Sequence, residues 1–193
     1  MHEQPEAADR VVIRLSELLR ASLERPDTHE IPLGQELGFL HRYLEIEQAR
    51  FGERLSVEFH VPVELEDVLV PALLLQPIVE NAIRHGIEER EEAGCIQVAA
   101  ARVEGCLELQ VVDNGPGLPP GRTGFVREGI GLSNTRSRLR HLYGDCQSLD
   151  LSAAPGGGLC VRIRLPCRTA QDPVPSPGHP AVIVGCNPSA ATA

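Results

Sequence analysis

Leu73-Leu74-Leu75-Gln76-Pro77-Ile78-Val79-Glu80-Asn81-Ala82-Ile83-Arg84-His85-Gly86 is the stretch whose reading decides the fold. It predicts an amphipathic helix with a well-equipped polar side. Pro77 suits a first helical turn, where its missing N–H costs nothing. Ile78, Val79, Ala82 and Ile83 then recur at a helical period and make the stripe to be buried. Glu80, Asn81, Arg84 and His85 fall on the opposite side, within reach of one another at spacings of three and four. A carboxylate, an amide, a guanidinium and an imidazole grouped in this way can hold a metal ion and a string of phosphates. An ordinary solvated helix face uses the same residue types, so context has to decide.

Two later blocks supply that context. Asp113 ends a predicted strand and is followed by Asn114-Gly115-Pro116-Gly117. A carboxylate there can accept a hydrogen bond from the exocyclic amine of a base, and the glycines let the backbone turn and approach a flat ring. Gly129-Ile130-Gly131 precedes a helix opening at Leu132, and bare N–H groups at a helix N-terminus form a phosphate site. The Pro-, Gly- and Arg-containing loop from Leu118 to Glu128 fits a lid over a nucleotide. Each later block alone matches a common turn; the three in this order are much more specific.

Outward from these blocks, Val11, Val12, Leu15, Leu18, Leu19 and Leu23 set a helical pattern over residues 6–24. A second helix, from about Leu33 to Phe51, carries Leu37, Leu40, Tyr43, Leu44 and Ile46 and stops at Gly52. These two helices suit a hairpin, a dimer interface, a docking arm or simple packing on their own domain. Leu55 to Val61 alternates like a strand, and Ile96–Ala100 with Leu107–Val112 forms a hairpin around Glu104-Gly105. A helix over 132–143 and strands at Leu149–Ser152 and Leu159–Leu165 complete the pattern. This order predicts an α/β two-layer sandwich, a mixed sheet with helices on one face, preceded by two amphipathic helices. From residue 168 to 193 the Pro/Ala-rich composition reads as a disordered tail.

The 193 residues, 42% hydrophobic and 23% charged, suffice for one core with appendages. Net charge is −9 without a dense basic run, which argues against direct nucleic-acid binding. The six cysteines lack CxxC pairs and read as reduced, mostly buried, cytosolic thiols. The apolar run from Val68 to Val79 is broken by Pro71, Gln76 and Pro77 and is shorter than the roughly 20 residues of a membrane helix. A cytoplasmic chain is expected.

Taken in order, the three blocks resemble the N, G1 and G2 boxes of the Bergerat (GHKL) ATP-binding fold, which histidine kinases share with gyrase B, Hsp90 and MutL. Leu75 to Gly86 is similar to the N box of LytS/YehU-type sensor histidine kinases. Leu44-Glu45-Ile46-Glu47 with Arg50-Phe51-Gly52-Glu53-Arg54-Leu55 resembles the linker helix of that family. So does Ile130 to Asn134 with Arg138-Leu139 and Leu142-Tyr143-Gly144-Asp145. The likeness covers roughly residues 6–166.

The resemblance implies ATP and Mg²⁺ as cofactors. Asn81 would coordinate Mg²⁺, with Arg84 and His85 near the phosphates. Asp113 would read adenine N6, Gly115 and Gly117 would shape the base pocket, and Gly129, Gly131 and Leu132 would flank the phosphates. Glu80 would either tune the metal site or only solvate the helix, and His85 also suits a structural cap. Pro77 stands where hydrolytic relatives carry their water-activating Glu, which favours a kinase over an ATPase. Gly157-Gly158-Leu159 replaces the family's Gly-Thr, which leaves one phosphate contact open. The family's phosphoacceptor His lies in an Asn-Pro-His-Phe-Leu-Phe-Asn block, which this chain lacks.

The expectation is therefore a fragment. Residues 1–54 would be a dimerisation and linker segment and 55–167 the catalytic domain, transferring the γ-phosphoryl group of Mg-ATP to a histidine outside the chain. The full-length kinase would be a homodimer of the bacterial inner membrane, anchored by a segment not in this chain, and would pass phosphate to a response regulator of the LytTR class. The alternatives are a nucleotide-sensing or dimeric interaction module without turnover, and another ATPase or serine kinase on the same fold.

Overall fold

The computed structural model describes residues 30–88, 90, 92–117 and 130–172. The helix expected over 6–24, the lid from Leu118 to Glu128, Gly129 and the segment after 172 lie outside these residues.

The first described helix, α1 (Leu33–Phe51), follows a short strand, β1 (Glu30–Pro32). Leu33, Leu37, Leu40 and Leu44 return at threes and fours and are all buried. They share one hydrophobic core with the sheet, so of the options open for this helix it takes packing on its own domain. Ile46, counted with this stripe in the sequence, is 47% exposed, while Glu36 and Glu47 hold buried positions. The phase explains the exchange: Leu44 to Glu47 continues the three–four pattern, whereas Ile46 stands about 200° around the helix from Leu44. Gly52, at φ 58°, ends the helix in the left-handed region that glycine enters without strain.

Strands β2 (Leu55–His60) and β3 (Leu69–Pro71) follow, then α2 (Gln76–Ile83). The strands β4 (Gly94–Val103) and β5 (Cys106–Asp113) come next, then α3 (Ile130–Tyr143), β6 (Ser148–Ala153) and β7 (Leu159–Pro166). Five strands form a mixed sheet in the order β2-β4-β5-β7-β6, and β1 pairs with β3 in a separate two-stranded sheet. Only β2 and β4 run parallel, and the other neighbours in the large sheet are antiparallel. The β4–β5 turn places Glu104 and Gly105 at φ 51° and 78°, as a two-residue hairpin requires.

Alternation along the strands assigns the two faces. The rows Val98-Val111-Val161 and Ala100-Leu109-Ile163-Leu149 are buried under the helices with Leu75, Ile78, Leu132 and Leu139. The opposite face carries Glu108, whose Oε2 accepts from Arg164 Nε at 2.7 Å. Burial pushes the Glu108 carboxyl up, but hydrogen bonds from Arg164 and Gln110 outweigh it and leave the pKa below the usual 4.5. Helices on one face of a mixed sheet are the α/β sandwich expected. After β7 the Arg168 carbonyl accepts from Leu69 N at 2.8 Å and Thr169 bridges to Val68.

Cys95, Cys146, Cys160 and Cys167 are free thiols, whereas Cys106 is disulfide-bonded. The reading of six reduced thiols therefore does not hold. Pairing depends on how near two Cα atoms come in space, which spacing along the chain does not reveal.

Leu139 is fully buried between α3 and the sheet. Leu139→Ala is expected to lower stability by about 2–5 kcal/mol. Urea unfolding checks this as a lower midpoint at an unchanged slope.

Candidate functional site

Three turns meet at one end of the sheet. The first continues α2, which becomes a five-residue π turn, Arg84–Glu88, instead of running on as the regular helix expected from the sequence. Its carbonyls are not left open: Arg54 donates to the Ile87 carbonyl at 3.2 Å and also to that of Arg90. Buried Ile87 lies so close to Gly94 that a Cβ there would stand 2.2 Å from Ile87 Cγ1.

The second turn is Asp113 to Gly117. Asp113 ends β5, and its Oδ1 accepts from Gly115 N at 2.8 Å and Leu159 N at 3.2 Å. Its Oδ2 accepts nothing among the described residues. Burial lifts the carboxyl pKa above the ordinary 3.8, while the two N–H groups and the charge of His85 act the other way. A Cβ at Gly115 would come 2.8 Å from Gly86 Cα, so backbone meets backbone where the π turn crosses this one. Asn114 stitches the turn to the start of β4, since its Oδ1 accepts from Cys95 N at 2.8 Å and its Nδ2 donates to the Ala93 carbonyl at 3.3 Å.

The third turn, between β6 and β7, was not among the predicted site residues. Gly158 (φ 93°) packs so tightly that a Cβ would stand 1.9 Å from the Asp113 carbonyl oxygen. Gly117 (φ 70°) meets the Gly158 carbonyl in turn, at 2.8 Å from an added Cβ. The Gly-Gly-Leu sequence, read above as leaving a phosphate contact open, is therefore placed elsewhere. Leu159 stands beside Asp113 and donates its own N–H to that carboxylate.

On α2, Asn81 is half-buried, and its side-chain amide makes no hydrogen bond among the described residues. Arg84 and His85 are exposed on the same side. Glu80 is not a bare solvated carboxylate, because Gln76 Nε2 donates to its Oε1 at 3.1 Å. The start of α3 lies against the start of α2: a Cβ on Gly131 would be 3.5 Å from Pro77 Cβ. Leu132 turns its side chain into the core at 2% exposure, so only its backbone is available to a ligand. Among the described residues no three His, Cys, Asp or Glu side chains are grouped to hold a metal. The arrangement joins an open carboxylate oxygen, a glycine-walled slot and an amide-bearing helix face, which suits a flat hydrogen-bonding ring with an anionic chain.

Gly158→Ala is expected to cost clearly more stability than Gly156→Ala. Both glycines have positive φ, at 93° and 92°, but only Gly158 has neighbours that a Cβ would strike. Left-handed strain common to both is about 1–2 kcal/mol, so the difference in unfolding free energy between the two variants isolates the clash.

Comparisons with known proteins agree with this geometry. Residues 67–169 match the family described as histidine kinase-, DNA gyrase B-, and HSP90-like ATPase, and residues 1–55 match the histidine kinase family. Sensor histidine kinase BtsS of Escherichia coli K12 is 35% identical over 163 residues, covering 84% of this chain and 28% of the relative. Sensor protein LytS of Bacillus subtilis is 31% identical over 176 residues, covering 86% and 30%. The chain thus spans less than a third of the curated relatives it matches. Among solved structures, the catalytic domain of histidine kinase ThkA superposes with a TM-score of 0.57 at 18% identity, over 72% of this chain and 97% of that one. The histidine kinase domain of Erythrobacter litoralis EL346 superposes with a TM-score of 0.53 at 24% identity, over 76% and 68%. At these identities the superpositions speak for the fold alone. The family match, which covers more than half of the 193 residues, carries the assignment: the chain belongs to the histidine kinase-, DNA gyrase B- and HSP90-like ATPase family, as an ATP-binding domain of the sensor histidine kinase kind.

Proposed function

We propose that this chain serves as the catalytic part of a LytS/YehU-type sensor histidine kinase, delivering the γ-phosphoryl group of Mg-ATP to a histidine elsewhere in the kinase. The seven histidines of the chain lack the sequence context of that family's acceptor. The observation that carries the reading is Asp113. One of its oxygens is saturated by two backbone N–H groups, and the other faces the glycine-lined slot. An acceptor held this rigidly suits the exocyclic amine of adenine.

The remaining roles follow from position. Gly115 and Gly117 wall the base pocket, now with Gly158. Asn81 offers one amide oxygen to Mg²⁺, which commonly takes few protein ligands and fills its octahedron with water and phosphate oxygens. Arg84 and His85 supply positive charge and donors beside the phosphates, and the backbone at Gly129, Gly131 and Leu132 adds N–H groups at the head of α3. Glu80, braced by Gln76, orients the metal side of α2. Residues 118–128 act as the lid. Phosphoryl transfer needs little covalent help, so positioning and charge neutralisation supply the catalysis. Pro77 has no ionisable group with which to activate water, which favours transfer over hydrolysis.

In this reading residues 1–54 provide linker and dimerisation contacts, with α1 serving both the linker and the core. The whole kinase is a homodimer attached to the bacterial inner membrane through a segment beyond this chain, and its phosphate passes to a response regulator of the LytTR class. Among the described residues no helix is long and apolar enough to cross a membrane.

Calorimetry of ATP binding with and without Mg²⁺ tests the site. Asp113→Asn is expected to weaken binding by about tenfold or more, ~1.4 kcal/mol. Mg-ATP should also phosphorylate an added helical fragment carrying the family's acceptor block. Tight Mg-ATP binding without any transfer to that fragment would leave a nucleotide-sensing module in place of a kinase.

A further inference from the structure

Glu36 is a charged side chain on the buried stripe of α1, only 1% exposed, and no role given above uses it. Its neighbours on that stripe are Leu33, Leu37 and Leu40, so an apolar residue would serve packing alone without the desolvation of a carboxylate. Instead, its two oxygens reach across to the turn before α2. Oε1 accepts from Leu75 N and Oε2 from Leu73 N, each at 2.8 Å. Nearby backbone N–H groups curled around one anion form a nest. The nest exists because Leu73 adopts φ 58°, one of two non-glycine residues with positive φ among the described residues. From the other side, Arg138 on α3 donates to the Ala72 carbonyl of the same turn. Burial pushes the Glu36 carboxyl up, while these N–H groups and the Arg138 charge favour its ionised form.

The turn Ala72–Leu75 is thus the point where α1, α2 and α3 are tied together. The helices it joins are the two that face the phosphates: α2 carries Asn81, and α3 begins at Gly131 against Pro77. We propose that Glu36 is a positioning residue for the nucleotide site, holding the strained Leu73 turn so that the phosphate-facing sides of α2 and α3 keep their spacing. Glu36 does not touch the ligand. The base pocket, built at the far end of α2 from Gly86, Asp113 and Gly158, is independent of it. This inference rests on the nucleotide reading above and adds a residue through which α1 can act on the site.

The test measures Mg-ATP and adenosine affinity by calorimetry for the whole chain, for Glu36→Gln, and for Glu36→Gln combined with Leu73→Gly. Glycine adopts φ 58° without strain. The expected result is an Mg-ATP affinity lower by about tenfold in Glu36→Gln, with adenosine affinity within about twofold of the parent. Leu73→Gly is expected to restore most of the lost affinity, which a simple packing defect would not allow. Should Glu36→Gln fail to fold, Glu36→Asp, whose carboxylate is retracted by one carbon, is read in the same way. Unchanged Mg-ATP affinity, equal weakening of ATP and adenosine, or no rescue by Leu73→Gly overturns the proposal while the nucleotide site stands. A parent chain that binds neither ligand overturns both.

Discussion

The backbones of Asp113 and Gly158 approach so closely that no side chain fits between them, and the site depends on that contact. With a Cβ excluded at Gly158 and again at Gly115, three turns from separate parts of the chain close around one carboxylate. The closure leaves Asp113 with one oxygen filled by N–H donors from Gly115 and Leu159, so its orientation is set before any ligand arrives. Burial makes the carboxylate costly to ionise and the donors offset that cost. An acceptor in this state is preorganised, and preorganised groups bind without having to be ordered first.

A second constraint runs along α1. Glu36 near its start holds the turn before α2, and Arg50 near its end pairs with Glu88 in the π turn at 2.8 Å. Fourteen residues separate the two contacts on α1, or ~21 Å, and thirteen separate Leu75 from Glu88, or ~20 Å at helical rise. The helices therefore run in the same direction with matched lengths, and α1 grips α2 at both ends. Buried Glu47 adds to this grip, with Oε2 3.5 Å from Arg50 Nη1. A helix joined at two points to the element bearing Asn81 cannot shift without straining one of those contacts.

Much of the architecture was legible because periodicity records burial directly. The stripe Ile78-Val79-Ala82-Ile83 is buried as the helical period requires, and α1 begins and ends at the residues expected. The hairpin turn at Glu104-Gly105 and the glycine stops at Gly52 and Gly144 follow from local conformational preference, which a sequence states plainly. Ile46 shows the limit of this reasoning. A hydrophobic residue one helical step out of phase looks like core in a count of apolar positions and lies on the surface in space. Cys106 shows another, since disulfide formation is a matter of proximity between distant segments.

By itself the sequence determined the layers, the strands and helices, and the residue types gathered around a polar helix face. These depend on neighbours within a few positions, through periodic burial and turn chemistry. Tertiary structure alone decided that Gly158 and Leu159 complete the pocket of Asp113, that the helix widens into a π turn at Arg84, and that Glu36 reaches the turn at Leu73. The reason is common to all three. Each is a contact between backbone groups and segments far apart in the chain, and backbone atoms carry no signature in the amino-acid sequence beyond the glycines that let them meet.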